Sequence, residues 1–122
     1  MFGVFRTVAV ALIALGASSV VLSQSQYGPD TRSGNYWLPK CRSPLYSEPF
    51  GNCLSFVNGF DAAMSLADAR PGATRFYCLP LNVTIGQGIN VVVAYADRNP
   101  QLTHLDFGVL IASAFREAFP CR

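Results

Sequence analysis

Four cysteines constrain this 122-residue chain more than any other feature of its sequence. They are Cys41, Cys53, Cys78 and Cys121, and the gaps between them are 12, 25 and 43 residues. An even number of cysteines in a short exported chain is typical of disulfides, whereas a zinc site needs closely paired ligands such as C-x-x-C. The pattern therefore predicts two disulfides, provided that the chain reaches an oxidising compartment.

The amino-terminal residues predict that the chain is exported. Arg6 is the first charged side chain, and an unbroken apolar run at residues 7–15 follows it. Val21 and Ser23 fit the −3 and −1 positions of a signal peptidase site, so cleavage is predicted after Ser23, with a second possible cut after Ser19. Because a membrane span takes about 20 apolar residues and this run is interrupted, we expect residues 1–23 to be a removed signal peptide and not an anchor.

The remaining chain, about 99 residues from position 24, is long enough for one domain. Residues 24–34 are polar and lack periodicity, so a flexible leader is predicted before a domain at residues 35–122. Without Arg6 the chain carries eight basic and seven acidic residues and no basic run. We therefore expect no nucleic-acid partner and no binding to anionic lipid.

Hydrophobic periodicity predicts an all-α fold, a small bundle of about four helices stabilised by the two disulfides. A short helix is predicted through Cys41, and prolines on its carboxyl side limit its length. The first longer helix has Asn52 as its candidate N-cap and an apolar stripe from Phe56 to Ala67. Pro71 and the glycine after it are predicted to end this helix.

Two further helices are predicted in the second half of the chain. Thr84 and Gln87 have the spacing of a capping box, which favours a helix there although three consecutive valines also suit a strand. The last helix is predicted to be capped by Thr103, with Asp106 in its first turn and Pro120 at its end.

The predicted helices favour one pairing of the cysteines. The last two helices are joined by a few residues and should run antiparallel, which places Cys78 beside Cys121. Cys41 and Cys53 flank a short proline-rich turn and are predicted to pair locally.

No combination of residues predicts catalysis. His104 is the only histidine, and although His104 and Asp106 could suggest metal or acid–base chemistry, a packing role is the better interpretation. Gly86 and Gly88 lack the rest of a phosphate-binding motif. We therefore predict a protein that binds and does not catalyse, with no catalytic residues, no metal site and no cofactor.

The long connection between the first two longer helices contains the candidate partner-binding residues Arg70, Arg75, Phe76 and Tyr77. Arginine and aromatic side chains are the types enriched at interface hot spots. The alternative is that Phe76 and Tyr77 pack into the core beside Cys78, and the sequence leaves both interpretations open.

A series of short motifs, each weak alone, follows a fixed order over residues 35–121. The series is NYWLPKCR, Cys53 with Gly59, C-x-P, VT-x-GQ, VVV-x-Y, NP, L-x-H-x-DF and AFPC. In this order the motifs resemble the Rap/Tai family of immunity proteins associated with type VI secretion. The resemblance covers nearly the whole predicted domain.

The resemblance implies a periplasmic, mostly helical, disulfide-bonded protein, often a homodimer, without catalytic residues. Such a protein would bind a peptidoglycan amidase effector and block its active-site groove. The resemblance also suggests the loop residues 70–77 as the contact with the effector. Two other functions remain as alternatives: a small periplasmic disulfide-bonded stress protein or chaperone, and a metal-dependent enzyme that uses His104 and Asp106.

Overall fold

The computed structural model describes residues 30–122, so the predicted signal peptide and residues 24–29 of the predicted leader lie outside the described residues. Within the described range the fold consists of four α-helices and one short 3-10 helix, without a β-strand. The predicted all-α fold is therefore confirmed. The α-helices are α1 (Gly34–Cys41), α2 (Glu48–Asp68), α3 (Ile85–Arg98) and α4 (Phe107–Ala118), and the 3-10 helix is Pro100–Leu102.

Helices α3 and α4 supply most of the hydrophobic core. The buried side of α3 presents Ile89 and Val92, and that of α4 presents Leu110, Ile111 and Phe115. Each of these side chains is almost fully removed from solvent. Burying a side chain of this size stabilises a folded protein by about 1.5–3 kcal/mol, so the apolar stripes of these two helices hold the bundle together.

Helix α1 joins the core through its aromatic and apolar residues. Leu38 is buried, and the Trp37 ring lies parallel to the Phe107 ring with the two centres 5.9 Å apart. The Trp37 ring also contacts Phe56 of α2, with 4.6 Å between the ring centres. One layer of aromatic rings therefore links α1, α2 and α4.

The start of α2 differs from the prediction. The helix begins at Glu48, and Ser47 is its N-cap, accepting a hydrogen bond from the Phe50 amide at 3.3 Å. The prediction that Asn52 caps this helix is wrong, since Asn52 lies inside its first turns. Pro49 does not block the helix because a proline in the first turn has no amide that would need a partner.

The capping box at the start of α3 is confirmed. The backbone amide of Gln87 donates to the Thr84 hydroxyl at 3.2 Å, and the backbone amide of Thr84 donates to Gln87 Oε1 at 2.8 Å. Helix α4, in contrast, is capped by Asp106, which accepts from the Gly108 amide at 2.9 Å. The prediction of Thr103 as this cap is wrong, because Thr103 ends the preceding 3-10 helix.

Residues 30–34, predicted as part of the leader, contact the helical body. Ser33 is buried, the Phe107 amide donates to the Arg32 carbonyl at 2.7 Å, and the Gly34 amide donates to the Leu105 carbonyl at 2.8 Å. Arg32 also forms an ion pair with Asp106 at 2.9 Å. The boundary predicted at residue 35 therefore lies inside the folded body.

Both predicted disulfides are confirmed. Cys41 is bonded to Cys53 and Cys78 to Cys121, with Cα–Cα distances of 5.2 Å and 5.0 Å. The first bond fastens the end of α1 to α2, and the second fastens the residues before α3 to those after α4. Over residues 30–122, none of the helices combines the length and the apolar character that crossing a membrane requires.

Candidate partner-binding site

The loop between α2 and α3 begins with a tight turn at residues 70–73. The Ala73 amide donates to the Arg70 carbonyl at 3.1 Å, and Gly72 has a φ of 76°. A proline in the second position and a positive φ at a glycine in the third are the features of a type II turn. The Arg70 side chain turns back, and its Nε donates to the Ala67 carbonyl at 3.2 Å near the end of α2. The turn therefore fixes Arg70 at the beginning of the loop.

The loop is held at its other end by covalent and hydrogen bonds. Cys78 is bonded to Cys121, and the Cys78 amide donates to the Phe119 carbonyl at 2.8 Å. Residues 74–77 are therefore placed against the carboxyl end of α4.

Phe76 and Tyr77 point to opposite sides of this segment. Tyr77 is 6% exposed and packs edge-to-face on Phe115, with the ring centres 5.2 Å apart. Its hydroxyl donates to Asp61 Oδ1 at 2.8 Å. Burial, together with this hydrogen bond, raises the pKa of the Tyr77 phenol above its usual value, so the hydroxyl stays a donor. Of the two interpretations that the sequence left open, Tyr77 thus packs in the core, whereas Phe76 remains 42% exposed.

Arg116 of α4 is a further residue of this site that the sequence reasoning missed. Its guanidinium carbon lies 4.9 Å from the centre of the Phe76 ring, within the range of a cation–π interaction. Among residues 30–122, no carboxylate forms an ion pair with Arg116. The signal was available in the predicted Cys78–Cys121 pairing, which brings the last turn of α4 beside the loop.

Phe76 lines an open cleft of about 460 Å³. We call it the Phe76 cleft, and it is lined by Thr74, Arg75, Phe76, Arg116, Pro120 and Cys121. The structure therefore brings two of the predicted residues, Arg75 and Phe76, together at one surface. Arg70 lies instead at a shallow pocket with Ala63, Leu66 and Ala67 of α2.

A second cleft, of about 260 Å³, lies between the loop and α2 on the other side of Arg75. We call it the acidic cleft; its lining includes Asp61, Met64 and Asp68 of α2 and Arg75, Tyr77 and Leu79 of the loop. Arg75 Nε lies 3.7 Å from Asp68 Oδ2. Arg75 thus borders both clefts.

The residues considered for metal chemistry have other surroundings. His104 is exposed, and Asp106 is engaged by the Gly108 amide and by Arg32. Within the described part of the chain, no three histidine, cysteine or acidic side chains come together as metal ligands would. Asp106 therefore has a structural role as the cap of α4.

The model of the family described as Rap1a immunity proteins matches residues 33–121. The chain belongs to this family. The match begins at the buried Ser33 and ends at Cys121, so it covers the whole helical body described above. No curated protein and no solved structure matches the chain.

Membership of the Rap1a immunity proteins gives the chain a general role. An immunity protein binds a partner effector protein, and the family is generally non-enzymatic. The two disulfides are compatible with a secreted or periplasmic location. The Phe76 cleft and the acidic cleft both combine predicted loop residues with side chains of the helices.

Proposed function

We propose that this protein is a periplasmic immunity protein that binds a peptidoglycan amidase effector of type VI secretion and blocks its active-site groove. The observation that carries the proposal is the Phe76–Arg116 pair of this Rap1a immunity protein: an exposed aromatic ring on the α2–α3 loop beside a cation of α4 that has no ion-pair partner among residues 30–122. Aromatic and arginine side chains in a cleft are the groups that dominate binding energy at protein interfaces.

The fixed conformation of the loop supports a binding role. A flexible loop loses conformational entropy when a partner orders it, and this loss weakens binding. Here the Cys78–Cys121 bond and the buried Tyr77 already order the segment that carries Phe76. Most of the ordering cost is therefore met when the protein folds, and contacts to Phe76 contribute more fully to affinity.

The charge at the Phe76 cleft favours a partner surface with carboxylates. Arg116 has no ion-pair partner among residues 30–122, and the Arg75 side chain is 64% exposed. Complementary charges across an interface speed association and select the partner. We expect substitution of Arg116 by an acidic residue to slow association and to make it less sensitive to salt.

The proposed location agrees with the chemistry of the chain and of the target. The disulfides require an oxidising compartment, and the predicted signal peptide would deliver the chain to the periplasm. Peptidoglycan lies in that compartment, so an amidase inhibitor has to act there.

We also propose that the protein is a homodimer that associates through the exposed face of α2. Between positions 51 and 66 every exposed residue of this helix is uncharged, and Leu54 and Leu66 are 38% and 75% exposed. A face without charge can lie against its own copy across a two-fold axis without repulsion. The face consists of Gly51, Asn52, Leu54, Ser55, Asn58, Gly59, Ala62, Ala63, Ser65 and Leu66.

Sedimentation of the oxidised protein tests the dimer. Leu66→Arg should convert it to a monomer, while Val109→Arg, at a residue 49% exposed on α4, should leave the dimer intact. A wild-type monomer at every concentration would refute the homodimer.

Growth rescue tests the function itself. Cells that export a peptidoglycan amidase effector of type VI secretion should survive when residues 1–122 are co-expressed, and should lyse when residues 1–23 are deleted from the co-expressed chain. Phe76→Ala and Arg116→Glu should reduce the rescue. The matched controls are Tyr36→Ala and Lys40→Glu, which alter the other cation–π pair of the described residues, on α1.

Equal rescue by all four variants would refute the assignment of the Phe76 cleft. Lysis with the wild-type chain, despite its detection in the periplasm, would refute the immunity function.

A further inference from the structure

The acidic cleft has hydrogen-bond acceptors that the fold leaves largely unused. Asp61 accepts from the Tyr77 hydroxyl, and Asp68 has Arg75 as its ion-pair partner. The 3.7 Å between Arg75 Nε and Asp68 Oδ2 exceeds hydrogen-bond length, although the Asp68 side chain is only 16% exposed. Since a carboxylate offers about four acceptor positions, both groups have capacity for donors from a ligand.

Apolar side chains form part of the wall of the acidic cleft. Met64, Leu79 and Ile85 are partly buried and pack against the core, and each lines the cleft. Leu81, at the rim, is completely exposed. The cleft therefore joins an apolar path to an acidic floor.

The size of the cleft suits a single side chain. Its volume of about 260 Å³ is below the range of about 300–1,000 Å³ that is usual for small-molecule and cofactor sites. A long side chain with an aliphatic stem and a charged end matches both the volume and the lining.

Arg75 shows which charged end fits. Its guanidinium already lies beside Asp68 at the mouth of the cleft, yet the contact is long and the side chain is 64% exposed. A guanidinium from outside can approach the carboxylates with two parallel N–H donors, which the observed Arg75 contact does not provide. Arg75 is therefore a weak competitor that a ligand would displace toward the Phe76 cleft, which Arg75 also lines.

We propose that the acidic cleft binds an arginine side chain of the effector, with its stem on Met64 and Leu79 and its guanidinium on Asp61 and Asp68. The proposal rests on the proposed function, because the arginine belongs to the partner protein. It assigns to the effector one arginine that projects from the surface covered by the immunity protein.

Titration of the oxidised protein with Nα-acetyl-arginine amide tests the chemistry of the cleft without an effector. We expect amide chemical shifts to change at residues that line the acidic cleft, with a dissociation constant on the order of 1–10 mM. The matched ligand is Nα-acetyl-citrulline amide, which has nearly the same shape and no charge. It should cause no saturable change, whereas equal responses to the two ligands would overturn the proposal.

Three variants assign the contact. Asp68→Asn and Asp61→Asn should each weaken binding about tenfold, because each loses a charge-assisted hydrogen bond. Asp97→Asn is the control, because Asp97 pairs with Arg42 on another side of the protein, and it should bind as the wild type does. Thermal melts establish that each variant is folded.

Arg75→Ala should bind arginine more tightly than the wild type, since it lacks the internal competitor. Unchanged binding by Asp68→Asn, or weaker binding by Arg75→Ala, would overturn the proposal. Inhibition of the amidase without arginine binding would refute only the proposed arginine site in the acidic cleft. Arginine binding without inhibition of the amidase would refute only the proposed immunity function.

Discussion

Removal of the Cys78–Cys121 disulfide should destabilise the domain and free the binding loop at the same time. The bond closes a loop of 43 residues. In the chain-entropy model, a cross-link over a loop of that length lowers the entropy of the unfolded chain by an amount worth about 4 kcal/mol. Domains of this length have free energies of unfolding of about 5–15 kcal/mol, so the double variant Cys78→Ala/Cys121→Ala should lose a large part of its stability.

Thermal and urea unfolding measure the global effect. A loss of about 4 kcal/mol corresponds to a fall in Tm of roughly 15–30 °C for a domain of this size. The double alanine variant is preferable to single substitutions because it leaves no free thiol. A loss below about 1 kcal/mol would refute the argument from loop length.

Limited proteolysis measures the local effect. Trypsin should cut the double variant after Arg75 under native conditions, because the loop no longer has its covalent attachment to the end of α4. The control is Cys41→Ala/Cys53→Ala, which removes the other, buried disulfide. That disulfide closes a 12-residue loop, and the closure is worth about 3 kcal/mol. This control should also lose stability, yet its α2–α3 loop should resist trypsin as long as the protein is folded. Equal cleavage of the two folded variants would contradict the role of Cys78–Cys121 as the loop's fastening.

Four further substitutions test individual features of the fold by urea unfolding. Gly34→Ala should cost about 1–3 kcal/mol, because its Cβ would overlap Leu110 Cδ1 and lie 2.7 Å from the Thr103 carbonyl oxygen; wild-type stability would show that the segment yields easily. Asp106→Ala should cost about 1–2 kcal/mol because α4 loses its cap. Arg32→Ala should cost less than about 1 kcal/mol, because the Arg32 side chain is 79% exposed. A larger loss of stability in Arg32→Ala than in Asp106→Ala would contradict the capping role. Tyr77→Phe should cost about 1.5–3 kcal/mol at pH 7 through its lost hydrogen bond to the Asp61 carboxylate. Because the pKa of Tyr77 is raised in the folded protein, the wild type should lose stability as the pH rises above 10.0, the ordinary pKa of a tyrosine. Tyr77→Phe should lose less stability over the same pH range. Parallel changes of stability with pH in the two proteins would contradict the raised pKa.

Much of the fold was predictable because local chemistry and tertiary packing agree. The apolar stripe of α4, from Phe107 to Phe115, is also its buried side, and the Thr84 capping box forms as its spacing indicates. The cysteine pairing followed from the short connection between the last two helices, and the structure has the same two bonds.

The helix starts were less accessible because several residues compete for one cap. Asn52 precedes the apolar stripe of α2, but the Ser47 hydroxyl and Pro49 extend the helix by a further turn. Thr103 suits an N-cap equally well in sequence. The 3-10 turn before it moves this role to Asp106.

The candidate site could be predicted only in part. Loop composition identified Arg75 and Phe76 as a possible contact surface, but it could not decide that Tyr77 turns inward. That outcome depends on Asp61, sixteen residues earlier, which supplies the acceptor for the buried hydroxyl. The position of Arg116 over Phe76 likewise depends on a disulfide that joins distant parts of the chain.

Inhibition of the purified effector tests the central claim most directly. The measurement is the rate of peptidoglycan hydrolysis by a purified amidase effector of type VI secretion, with increasing amounts of the oxidised protein. We predict that hydrolysis stops when the immunity protein equals the amidase in concentration, and that Arg116→Glu shifts this curve to higher concentrations while Lys40→Glu does not. Full amidase activity in an excess of the folded, disulfide-bonded protein would contradict the proposed function.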